Sequence, residues 1–255
     1  MINQIKAEFF KLQRNKSFWV LVLATTGLSA LLHYLVIIEW WQLSGTPFDR
    51  AGLSKFNAIS SYTEPLLFNL FVSTLAGFFI STEFSHGSVI KNQIISGSKR
   101  RDIILSKYLV FTVAAIMITI LIPLLTGIIE VILLGHGDIL NQTSILYLAR
   151  AFGLFTLQFL GYTAIILLFA ILTEDSGKTI IFSIIFTIII FVLEKFSTIS
   201  SITAIYKNSI FNQFNEVFEF SMTNGDIVKS IFIALLTFII LVLCGILVFN
   251  KKEIK

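Results

Sequence analysis

Six apolar runs, each near the ~20 residues that a helix needs to cross a bilayer, constrain this 255-residue chain more than any other feature. They cover approximately Phe18–Ile38, Tyr62–Ser81, Tyr108–Leu134, Ile145–Leu172, Thr179–Leu193 and Ile227–Phe249, and the fifth is short. Backbone N–H and C=O groups in lipid have no water to bond, so runs of this composition must be helices. A transmembrane barrel would need alternating segments of ~10 residues, which are not present. Only 13% of the residues are charged and the mean hydropathy is +0.88. A soluble domain carries roughly 25% charged residues, so the fold expected is an all-α membrane protein of six spans in a single domain, residues 1–255.

The net charge of +4 is topology charge rather than a nucleic-acid signal, because the basic residues flank the apolar runs. One side holds Lys6, Lys11, Arg14 and Lys16, then Lys91, Lys99, Arg100, Arg101 and Lys107, then Lys178, and last Lys251, Lys252 and Lys255. The other side has only Arg50, Lys55, Arg150, Lys195, Lys207 and Lys229, spread over longer loops. The bias places both termini in the cytoplasm. The first run is too long for a signal-peptide core and lacks a small-residue cleavage site, so it reads as a retained span. Cys244 is the one cysteine, inside an apolar run, which excludes a disulfide framework and a thiolate metal site. No two histidines share a metal-like spacing with a carboxylate, so no metal site is expected.

Three segments between or before the spans carry pattern. In residues 1–17, Ile2, Ile5, Phe9 and Leu12 recur at helical spacing, which predicts an amphipathic helix in the inner interface. Residues 83–107 form a polar, basic insert. Its first part has an apolar face of Val89, Ile90, Ile94 and Ile95, Ser96-Gly97-Ser98 makes a turn, and Lys99-Arg100-Arg101 opens a basic second part. In residues 194–226, Phe211, Phe214 and Phe218 share one helical face, as expected of a surface helix or of one dipping back over a central path. The second alternative would also account for a short fifth span. Within the spans, Pro123 predicts a kink, while Asn69 and Gln158 lie mid-span and Glu130 near the outer end of the third. Glu130 either lines a polar path or sits at interface level, while Asn69 and Gln158 are placed to hydrogen-bond between helices.

The arrangement Glu83…Gly87…Arg101…Lys107 after the second span resembles the signature of ABC-2-type transporter permeases. The opening Glu8-Phe9-Phe10-Lys11-Leu12-Gln13-Arg14 is similar to that family's Glu-x-x-Lys-Leu-x-Arg start, and Asn250-Lys251-Lys252 to its basic tail. In length and style the chain looks closest to the bacterial lantibiotic and bacitracin immunity permeases. The resemblance implies that residues 1–17 form a connecting helix and residues 83–107 a coupling segment. Glu83, Gly87, Val89, Ile90, Ile94, Arg100, Arg101 and Lys107 would meet a separate ATPase. Phe211, Phe214 and Phe218 would form an extracellular gate, and Glu130, Asn69 and Gln158 a possible translocation path. The expected function is ATP-driven export of antimicrobial or other amphipathic peptides across a bacterial plasma membrane. The permease would pair with an identical or related permease and with two ATPase copies.

No catalytic residue or cofactor is expected on the chain itself; ATP and Mg would bind the partner subunit. Ser176-Gly177-Lys178-Thr179 resembles the end of a P-loop, but the first glycine would fall at Leu172 and no strand precedes it. Small hydrophobic drugs and lipid-linked glycans are the alternative cargoes. An ion-coupled secondary transporter would need midplane carboxylates and usually an internal repeat. An intramembrane protease would need paired catalytic groups at depth, and neither pattern is found.

Overall fold

The computed structural model describes residues 1–85, 88–195 and 200–252, and among these every regular element is helical. Helix α1 (Ile2–Arg14) precedes the first span, α2 (Lys16–Ile37). The next connection carries α3 (Pro47–Arg50) and α4 (Asn57–Thr63), and leads into α5 (Pro65–Phe84). The short α6 (Ser88–Ile95) is followed by α7 (Arg100–Leu133), α8 (Gln142–Thr173) and α9 (Ser176–Lys195). The last long connection holds α10 (Ser200–Lys207) and α11 (Ile210–Glu216) before α12 (Asn224–Lys251). Helices α2, α5, α7, α8, α9 and α12 are long and apolar enough to cross a membrane, which makes this a multi-pass membrane protein.

Two boundaries differ from those read by hydropathy. The fifth span is not short: α9 has 20 residues, and the polar Ser176-Gly177-Lys178 forms its first turn. Local bonds explain this start. Asp175 Oδ1 accepts the Lys178 N–H at 2.8 Å, and Ser176 Oγ donates to the Gly77 carbonyl of α5 at 2.8 Å. The third span begins at Arg100 rather than Tyr108, so the basic half of the 83–107 insert is the polar first turns of α7. At the start of the chain, α1 and α2 meet at a tight corner. Asn15 caps α2 by accepting the Phe18 N–H at 3.2 Å, and Trp19 Nε1 donates back to the Gln13 carbonyl at 2.8 Å.

Helices α5 and α7 each contain one wide π turn, at Gly77–Ser81 and Met117–Leu121. The second lies just before Pro123, whose missing N–H removes a helical bond and forces the local adjustment.

The bundle is built around α8, which packs along α12 and against α5, α7 and α9. Helix α2 lies against the second half of α7, and α1 against its first half. Helices α9 and α12 keep most of their surface exposed. Polar groups in the spans join neighbours. Gln158 Nε2 donates to the Ser230 carbonyl at 2.8 Å, tying α8 to α12, and Tyr162 Oη donates to Asn69 Oδ1 at 2.5 Å, tying α8 to α5.

Close helix approach depends on single glycines. A Cβ at Gly127 in α7 would lie 2.6 Å from His33 Nε2 in α2, with both residues buried, whereas one at Gly153 would meet nothing within 4 Å. We therefore expect Gly127→Val to destabilise the fold by about 1–3 kcal/mol through overpacking, and Gly153→Ala to leave it unchanged. Thermal unfolding of the two variants in detergent micelles checks this.

Candidate functional site

Helix α1 places Ile5, Glu8 and Leu12 on one face, and that face is turned inward, so its carboxylate is buried together with its apolar neighbours. Glu8 is 1% exposed and Lys107, on α7, is fully buried. The Lys107 ammonium donates to both Glu8 oxygens at 3.1 Å and also meets Glu83 at the end of α5. Lys11 closes the ring, 2.5 Å from Glu8 and 2.8 Å from Glu83. Gln93 of α6 donates to Glu8 at 3.3 Å. Two carboxylates and two ammoniums, from three helices, thus neutralise one another, with Glu8 and Lys107 out of water and Lys11 at the edge of the cluster.

The electrostatics follow from this geometry. Burial alone would raise the Glu8 carboxyl, but Lys107 and then Lys11 outweigh it and hold Glu8 below its ordinary value. Burial likewise acts to lower Lys11, yet Glu83 and Glu8 keep it above its ordinary value.

A second set of ties lies beside this clasp. Arg100 Nη1 donates to the carbonyls of Phe249, Asn250 and Lys252 at 3.1, 3.0 and 2.7 Å, satisfying the open C-terminal end of α12. Lys252 pairs with Glu174 at 2.7 Å and also donates to the Ile171 carbonyl, so the chain's tail is fastened to the α8–α9 corner.

The residues expected to meet an ATPase therefore occupy different positions. Glu83 and Lys107 belong to the internal clasp and Arg100 to the tail contact, whereas Arg101 is exposed. Ile90 is buried in the chain's own core, with Val89 and Ile94 half-buried. The outward side of α6 consists of Lys91, Asn92 and Ile95, the last 73% exposed. Gly87 lies outside the described residues.

At the opposite end, α11 and the turn after it bury Phe211, Phe214 and Phe218. Phe214 packs 5.1 Å from Phe68 of α5 and 5.2 Å from Phe155 of α8 (ring centroids), and Phe218 lies 5.3 Å from Phe152 and 5.6 Å from Phe48. Phe211 lies 5.7 Å from Phe186 on α9. The segment is fixed to α8 by polar bonds as well: Tyr147 Oη donates to the Phe218 carbonyl at 2.8 Å, and Arg150 to the Glu219 carbonyl. Asn69 and Gln158 make the interhelical bonds described above, and Glu130 is half-buried, with Oε2 lacking a partner among the described residues.

Sequence reasoning did not single out Glu8 and Lys11 as site residues, nor the pairing of Phe68 and Phe155 with the loop. For Glu8 a signal existed: a carboxylate at the spacing of Ile5 and Leu12 sits on the apolar stripe, where it needs a buried cation. For the aromatic residues there was none, since Phe is abundant throughout the chain.

The clasp predicts a pH response. Glu8's contribution is complete above its ordinary 4.5 and is lost as pH falls through its depressed folded value; Lys11's is complete below its ordinary 10.5 and is lost as pH rises through its raised folded value. Glu8→Gln should melt below wild type at neutral pH, and the gap should narrow as the pH drops below about 4. Melting curves in detergent across pH check this; a gap independent of acid pH would contradict it.

The comparisons with known proteins bear on the whole arrangement. Neither the curated proteins nor the solved structures yielded a match. A family model described as ABC-2 family transporter protein matches residues 4–194, which take in α1 from residue 4, α6, the whole clasp, the first four spans and the fifth up to residue 194. The chain belongs to the ABC-2 transporter family.

Proposed function

We propose that the chain is the transmembrane half of an ATP-driven exporter, with its basic end in the cytoplasm docked on a separate ABC ATPase. The observation that carries this reading is the buried Glu8–Lys107–Glu83–Lys11 clasp behind an outward-facing α6. A partner pressing on Lys91, Asn92 and Ile95 would push on a helix whose Gln93 touches the clasp. Because the clasp joins α1, α5 and α7, the displacement would reach two spans together rather than bend one loop. Lys/Arg enrichment at this end supports the cytoplasmic assignment.

In this reading two permeases, identical or related, bind two ATPases, and nucleotide-driven closure of the ATPases rocks the spans. ATP and Mg belong to the partner subunit. The packed Phe211, Phe214 and Phe218 then form the outer closure, which opens when α5 and α8 shift beneath it. The cargo is an amphipathic peptide that leaves the membrane outward, a reading that rests on the sequence's resemblance in length and style to immunity permeases. Bacterial plasma membrane is the matching location.

Docking on α6 is tested by a mild-detergent pull-down from the native membrane. Lys91→Glu combined with Ile95→Asp should lower retention of the ATPase by about tenfold, equivalent to ~1.4 kcal/mol, without changing the melting temperature. Unchanged retention would overturn the docking assignment. Phe214→Ala should let ATP turnover continue while peptide export falls, measured in reconstituted vesicles; normal export would remove the closure assignment.

A further inference from the structure

Helices α8 and α9, joined at the basic end by Glu174 and Asp175, flank an open, mainly apolar groove of about 690 Å³. Phe169 and Leu172 form one wall and Phe182, Ile185 and Ile189 the other, with Lys178 at the mouth. From Lys178 to Ile189 is eleven residues of helix, roughly 16 Å at 1.5 Å per residue. That is about half of a ~30 Å hydrocarbon core, so the groove spans one leaflet and ends near its middle. The lysine sits where the headgroup of a lipid in that leaflet would lie.

We propose that this groove is a binding site for one anionic phospholipid, an acyl chain along α9 and the phosphate at Lys178. Charge complementarity selects the headgroup. Lys178 is exposed, and its ammonium makes no ion pair among the described residues. Of the two nearby carboxylates, Glu174 holds Lys252 at 2.7 Å, and Asp175 caps the first turn of α9 by accepting the Lys178 backbone N–H, leaving the Lys178 ammonium itself without an ion-pair partner among the described residues. An apolar slot with one basic side chain at interface level favours an anionic lipid over a zwitterionic one. The groove adjoins the corner fastened by Lys252, so a bound lipid would buttress the α8–α9 connection.

The test is native mass spectrometry of the full chain equilibrated with equal amounts of phosphatidylglycerol and phosphatidylcholine. Wild type should retain phosphatidylglycerol with about fivefold preference, as expected for one lysine near the headgroup plane. Lys178→Gln should lose that preference, and Lys16→Gln, at the same end of the bundle but away from the groove, should keep it. Phe182→Trp, in a chain carrying Trp19→Phe, Trp40→Phe and Trp41→Phe, reports location through quenching by dibrominated lipids. Stronger quenching by brominated phosphatidylglycerol supports the proposal. Equal preference in wild type and Lys178→Gln overturns it, and so does quenching by neither lipid, the result for a groove covered by a second copy of the chain.

Discussion

Removing an ammonium or a carboxylate from water costs several kcal/mol per ion, and that cost is offset only where partners of opposite sign stand in good geometry. Lys107 is fully buried and Glu8 nearly so, so the basic end of this bundle is stable only when α1, α5 and α7 are placed together. No pair of these helices suffices. Without α1, Lys107 loses Glu8; without α5, both lysines lose Glu83. The ionic ring thus holds the interfacial helix and two spans to one geometry, and the tail contact through Arg100 adds α12.

The opposite end is made differently. Phe211, Phe214 and Phe218 meet Phe68, Phe152, Phe155 and Phe186 through ring contacts that have geometric preferences but little directionality compared with ion pairs. Aromatic surfaces can slide and repack at modest cost, whereas a buried ion that loses its partner cannot remain. This contrast fits the proposed function, in which the basic end moves as a unit under an applied load and the outer end yields. It also locates where polar groups stabilise without moving: the Gln158–Ser230 and Asn69–Tyr162 bonds tie α8 to its neighbours across the middle of the bundle.

Much of the fold was legible because lipid removes most alternatives: the run lengths imposed six helices, and the i, i+3, i+7 spacing of Ile2, Ile5, Phe9 and Leu12 marked α1. Hydropathy misplaced the starts of α7 and α9, where polar residues join the helix because backbone carbonyls of other segments accept from them, as Gly77 does from Ser176 and Phe249 from Arg100. The site was legible only in part. Glu83 and Lys107 stood out as charges flanking apolar runs, but Lys107 pairs with Glu8 across 99 positions and Glu83 with Lys11 across 72, and no local pattern encodes such contacts. The apolar face of α6 was visible, yet whether it turns toward a partner or toward its own chain is decided by tertiary packing, which buries Ile90 and leaves Ile95 outside.

The measurement that bears most directly on the account is a double-mutant cycle between Glu8→Gln and Lys107→Met, read as unfolding free energy in detergent. The account predicts that each single change is strongly destabilising because it leaves a buried charge uncompensated. The double variant should be less destabilised than the sum of the singles, with a coupling of about 1–3 kcal/mol. Additivity within about 0.5 kcal/mol would mean that the two side chains act independently, and the clasp could not be what holds α1 to the bundle.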